Sequence, residues 1–117
     1  MPIYVAQRAL ALTKSSSGMP KVLIMGVAYK PGVGDVRETP ASALRAALVA
    51  RGAEVAWIDP LVSLWEGTKP VSKVWDCDVA IVATNQPGLD VKSLLARGIP
   101  VLDCTNNYGE QAGVELL

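Results

Sequence analysis

Histidine is absent from the 117 residues, and cysteine occurs only at Cys77 and Cys104, without CxxC spacing. A zinc site or a Cys-His nucleophile therefore lacks its partners, and both thiols read as buried groups of a reducing cytoplasm. An excess of charge of either sign is missing too, since Lys plus Arg and Asp plus Glu both number 11. Nothing global points to nucleic acid or to an anionic membrane, so any anion must be caught locally. The apolar start MPIYVAQRALALTK is too short to span a bilayer. It also lacks the basic opening and small-residue cleavage site of a signal peptide, so a soluble cytoplasmic chain is expected. The glycines at 26, 32 and 34 do not make GxGxxG, which argues against a free-standing NAD-binding domain.

What is present suffices for one domain with a real core, half the residues being hydrophobic. Ile3, Val5, Ala6, Ala9, Leu10 and Leu12 recur at helical spacing, and the serine run before Gly18 reads as a linker. Residues 21–27 form a continuous apolar stretch, as expected of a strand buried on both faces of a parallel sheet. Thr39 and Pro40 open a helix as N-cap and first helical residue, and Gly52 stops it after Arg51. Strands are predicted at 54–59, 79–83 and 100–103, with a weak helix over 91–97. Between Pro60 and Asp78, the pairs Leu64-Trp65 and Val74-Trp75 suggest short helical pieces, while Gly67 and Pro70 suggest loop. Both tryptophans read as packing residues before they read as a base-stacking platform. The alternation predicts an α/β fold: a three-layer, Rossmann-like open parallel sheet preceded by an N-terminal helix.

The connection GVAYKPGVGDVRETP, residues 26–40, is crowded for a turn. Ligands of open parallel sheets sit beyond the carboxyl ends of the strands where strand order reverses, and the first strand commonly flanks that point. A helix N-terminus there presents backbone N–H groups and roughly half a positive charge. Lys30 and Arg37 add a point charge and a planar fork, and Tyr29 adds an aromatic wall with a hydroxyl. Asp35 or Glu38 could orient the cations or accept from a ribose hydroxyl. Pro31-Gly32 and Gly34-Asp35 are also ordinary turn pairs, so a solvated loop with weak ion pairs stays open as the plainer reading.

MGVAYKPGVGDVRETPA resembles the motif G-x-A-[YF]-K-x-x-x-x-D-x-R-E-[ST]-P-A that opens the C-terminal domain of the UDP-glucose/GDP-mannose dehydrogenase family. Met1-Pro2 with Tyr4-Val5 is similar to the end of that family's central region. Residues 51–55 with Asp59-Pro60 resemble its second strand, and residues 77–84 its third. The wording is nearest to branches acting on UDP-N-acetylhexosamines. The resemblance implies enzymes that oxidise the C6 alcohol of a nucleotide sugar to a carboxylate with NAD. They have an NAD-binding domain, a central region with the catalytic cysteine, and a C-terminal domain that closes over the nucleotide. It further implies that Tyr29 and Lys30 contact the UDP-sugar, that Arg37 reaches towards NAD, and that Asp35, Glu38 and Thr39 support the loop. On this division residues 1–14 end a connecting helix, 15–20 are linker, and 21–117 are the nucleotide-sugar-binding domain.

The catalytic cysteine, lysine and aspartate of such enzymes fall outside this chain, and neither Cys77 nor Cys104 occupies the matching motif. The isolated chain is expected to be inactive, with no tightly bound NAD and no metal. Its expected partners are the UDP-sugar, the missing domains and a second copy in a homodimer. Where the resemblance implies an arginine after the last strand, Thr105 stands instead. A non-catalytic nucleotide-binding or interaction module of the same fold therefore remains the alternative. A receiver-like or flavodoxin-like domain fits less well, because no acidic cluster or hydroxyl-rich phosphate loop follows the first strand.

Overall fold

The computed structural model describes residues 2–13, 19–71, 77–105 and 113–116. The elements run α1 (Pro2–Ala11), β1 (Lys21–Met25), α2 (Pro40–Ala50), β2 (Glu54–Ile58), β3 (Val79–Val82), α3 (Val91–Ala96), β4 (Val101–Asp103) and β5 (Val114–Leu116). All strand pairs are parallel, and the sheet order is β2-β1-β3-β4-β5. The order reverses between β1 and β3, so the connections after these two strands leave the sheet on either side of one crevice.

Period-two alternation sorts the apolar strand residues onto two faces. Val22, Ile24, Val79, Ile81 and Leu102 meet α1 and α2 through Val5, Ala6, Ala9, Leu44 and Leu48. Leu23, Met25, Ala80, Val82 and Val101 meet α3 through Val91 and Leu94. Three layers result, as the continuous apolar runs predict. At the edge, β2 is only partly buried, and its Trp57 packs edge-on against Trp65 with ring centroids 5.7 Å apart.

Several details differ from the sequence reading. First, β1 stops at Met25 because Gly26 turns with φ +81°, and a Cβ there would lie 1.9 Å from the Thr84 carbonyl oxygen. The chain can make that crossing only as glycine. Leu64-Trp65 is not helical: Trp65 and Thr68 pair across a two-residue turn in which Glu66 and Gly67 both have positive φ. Trp65 is core, whereas Val74-Trp75 and linker residues 15–18 lie outside the described residues. The fifth strand, β5, was not anticipated. Arg8 reaches it from α1, donating to Glu115 Oε2 at 2.9 Å and to the Leu116 carbonyl at 2.8 Å. Thus α1 lies back on the sheet layer, leaving Ile3 and Tyr4 exposed. Among the described residues no helix is long and apolar enough to cross a membrane.

Candidate functional site at the sheet's carboxyl end

The crowded connection is built on a buried polar floor. Asp59, immediately after β2 and 3% exposed, turns its carboxylate under the start of the loop. Its Oδ2 accepts from the Val27 and Ala28 N–H groups at 2.9 and 3.2 Å, and Oδ1 accepts from Leu61 N–H at 2.8 Å. Gln86, after β3 and 2% exposed, donates through Nε2 to both Asp59 oxygens and to the Val33 carbonyl. Its Oε1 accepts from Gly32 N–H at 2.7 Å. Thr84 and Thr39 both donate to the Ala28 carbonyl, at 2.8 and 3.4 Å. Among the described residues no ion pair reaches this buried carboxylate, which is tolerable because amide donors satisfy it.

This floor corrects one expectation. The helix N-terminus was to offer free amides to an anion, but its first groups are already used. Pro40 has no N–H, Ala41 donates to Thr39 Oγ1 at 3.3 Å, and Ser42 donates to the Thr39 carbonyl at 3.2 Å. The amides at the loop's start serve Asp59 in the same way. The amides of Val27, Ala28, Ala41 and Ser42 are therefore already used, which leaves the helix dipole and the loop's side chains to attract an anion.

The rim carries the side chains that could act. Tyr29, 57% exposed, stands beside the exposed Lys30, and among the described residues Lys30 makes no ion pair. Arg37 grips Asp35 side-on, Nε to Oδ1 at 3.0 Å and Nη2 to Oδ2 at 2.8 Å, while its own N–H also donates to Oδ1. Hydrogen bonding to Arg37 holds the Asp35 carboxyl down to about 2. The pair cancels in charge, which leaves Lys30 as the uncommitted cation of this loop and Arg37 with its outer Nη1–Nη2 edge free of Asp35. Glu38 sits in the left-handed region at φ 54°. Thr39 is buried as the helix cap and supports the loop without lining it.

Two hollows meet at Tyr29. One, mostly apolar and about 190 Å³, is lined by Val5, Tyr29, Pro40, Ala41, Leu44, Ala83, Thr84 and Cys104. The other is polar and more open, lined by Tyr29, Asp35, Arg37 and Glu38. Lys30 lines neither and stands on the bend beside them. Burial, then the neighbouring Asp103, pushes the Cys104 thiol up to about 11, so at neutral pH it stays protonated and inert. Beyond β4, Thr105 turns back on Asp103: its hydroxyl and its N–H reach Oδ1 at 2.6 and 2.8 Å.

The sequence points to the exposed residues of this loop and gives no sign of the buried floor beneath them. From the sequence Asp59 reads only as a strand end, and Gln86 carries no signal, being one polar residue among the loop residues that follow β3.

An open parallel α/β sheet with a furnished loop at its reversal point defines the general class of doubly wound α/β domains, which hold their ligands at that point. The comparisons narrow the class. The model of the UDP-glucose/GDP-mannose dehydrogenase family, UDP binding domain, matches residues 23–110. The chain belongs to that family. A UDP-N-acetyl-D-mannosamine dehydrogenase of Methanococcus maripaludis is 36% identical over 90 residues, which cover 73% of this chain and 21% of that protein. The chain thus corresponds to about a fifth of the curated relative's length. Among solved structures, the UDP-N-acetyl-mannosamine dehydrogenase from Staphylococcus aureus superposes with a TM-score of 0.74 at 24% identity, over 98% of this chain and 29% of that one. A GDP-mannose dehydrogenase from Pseudomonas aeruginosa gives 0.66 at 19% identity, over 97% and 30%. At these identities the superpositions speak for the fold.

Proposed function

We propose that the chain is the C-terminal, UDP-sugar-binding domain of an NAD-dependent dehydrogenase that oxidises the C6 alcohol of a nucleotide sugar to a carboxylate. The observation that carries this is the coincidence of two things: the family's UDP-binding match spans the loop after β1, and that loop stands at the reversal point of the sheet. The mostly apolar hollow beside Tyr29 suits a flat ring, and Lys30 stands on the bend beside it as the cation a phosphate would meet. On this reading Tyr29 packs against the nucleotide sugar and Lys30 meets its phosphates as an unpaired cation. Arg37, steadied by Asp35, offers its free edge towards NAD across the cleft.

NAD and the reacting cysteine belong to the remaining parts of the enzyme, so hydride transfer is assigned to them and ligand binding to this chain. Residues 1–14 would end the connecting helix, 15–20 the linker, and 21–117 the binding domain. A second copy and the preceding domains are the partners, with the exposed Ile3 and Tyr4 of α1 available to them. Two free cysteines suit a reducing compartment. Calorimetric titration of the chain with UDP, UDP-glucose and UDP-N-acetylmannosamine tests this reading. Saturable binding that depends on the diphosphate is expected, and absence of binding at millimolar ligand overturns it.

One observation favours a second reading. Thr105, where the resemblance implies an arginine, is closed onto Asp103 by two hydrogen bonds and extends no cation towards a ligand. A non-catalytic module that keeps the nucleotide site is consistent with that. It predicts UDP binding with no discrimination between sugars, whereas the dehydrogenase domain discriminates.

A further inference from the structure

Resting on the ligand reading above, we infer that Gln86 is a positioning residue that fixes the height at which Tyr29 and Lys30 meet the ligand. The exposed Tyr29-Lys30-Pro31 segment is anchored at both ends by one buried pair. Its root, Val27 and Ala28, is tied through backbone N–H groups to Asp59. Its far end, Gly32 and Val33, is tied to the Gln86 side chain, whose Oε1 accepts from the Gly32 N–H while Nε2 donates to the Val33 carbonyl, both at 2.7 Å. The remaining Nε2 hydrogen turns to Asp59, so the two anchors are themselves joined.

The chemistry of an amide is what this place requires. One planar group must accept from a backbone N–H, donate to the next carbonyl and donate again to a carboxylate, and of the side chains of this length only glutamine has that set. An ionised glutamate would face both the Val33 carbonyl and Asp59 with lone pairs alone. Gln86 also holds its own place, its N–H donating to the Thr84 carbonyl at 2.9 Å, so the anchor is referred to the end of β3. Tyr29 N–H is committed to the Asp35 carbonyl, which carries the same register across to the Asp35–Arg37 pair.

The test compares the 117-residue chain with its Gln86→Ala and Gln86→Glu variants. Binding of UDP-N-acetylmannosamine, whose two phosphates do not titrate near neutrality, is followed over a range of pH together with hydrogen exchange at the Gly32 amide. In Gln86→Ala, affinity should fall about tenfold. The Gly32 amide should exchange faster while the β1 and β3 amides keep their protection. In Gln86→Glu, the carboxyl lies against Asp59, the titratable group in contact with that position, so its pKa rises. Binding is then weak at neutral pH and recovers on acidification, as the protonated acid regains a donor. The wild type shows no such recovery, and a residue needed only for packing would give a flat profile.

Wild-type affinity in the alanine variant, a pH-independent glutamate variant, or unchanged Gly32 exchange overturns the assignment. If the wild type itself binds no UDP-sugar, the ligand reading fails separately, and Gly32 exchange alone decides whether Gln86 holds the loop.

Discussion

Two layers of one loop solve opposite problems with the same kinds of atoms. The floor, Asp59 with Gln86 and Thr84, is buried and fully hydrogen-bonded, its carboxylate matched by amides. The rim, Tyr29, Lys30, Asp35 and Arg37, is largely exposed, and its carboxylate is matched by a guanidinium. Burial decides what each carboxylate can do. Below, the uncompensated loss of one partner would strand several donors away from water. Above, solvent screens the pair and leaves its members replaceable. The floor therefore carries stability, and the rim is where the proposed recognition would fall.

The most damaging way to break this division is Gly26→Ala, since the new Cβ meets backbone and the residue sits at positive φ. A loss of about 4 kcal/mol in a denaturant titration is expected from overlap and strain together. Next comes Asp59→Ala, which leaves the amides of Val27, Ala28 and Leu61 without their acceptor. About 3 kcal/mol should be lost, with Asp59→Asn milder because one acceptor oxygen remains.

The rim answers pH instead. Asp35 is held below its ordinary 3.8, to about 2, so its contribution is present above 3.8 and lost as pH falls towards 2. Asp35→Asn should therefore differ slightly from wild type at pH 6 and converge with it near pH 2. Urea midpoints across that range check the sign. A difference that grows on acidification would contradict it.

The same division explains what was legible in the sequence. Buried parallel strands announce themselves by unbroken apolar runs, which is why β1 and β3 were readable to within a residue or two. The cap of α2 was readable because Thr39-Pro40 is a local signal. Strand β5 was not, since Val114–Leu116 is too short to show a period and depends on β4 and on Arg8 for its place. Asp59 before Pro60 looks like any turn aspartate, and only the fold brings Val27, Ala28 and Gln86 onto it. The rim was legible because charge and aromaticity crowd one connection. What the sequence could not tell is that the amides beneath were already taken.

The most direct measurement of the central claim is the affinity of Lys30→Ala for UDP-N-acetylmannosamine, taken with its urea midpoint. Removing the one uncommitted cation of the loop should weaken binding about tenfold or more, while stability stays within about 0.5 kcal/mol of wild type. Unchanged binding, or a loss of binding matched by a loss of stability, would contradict the assignment of recognition to the rim.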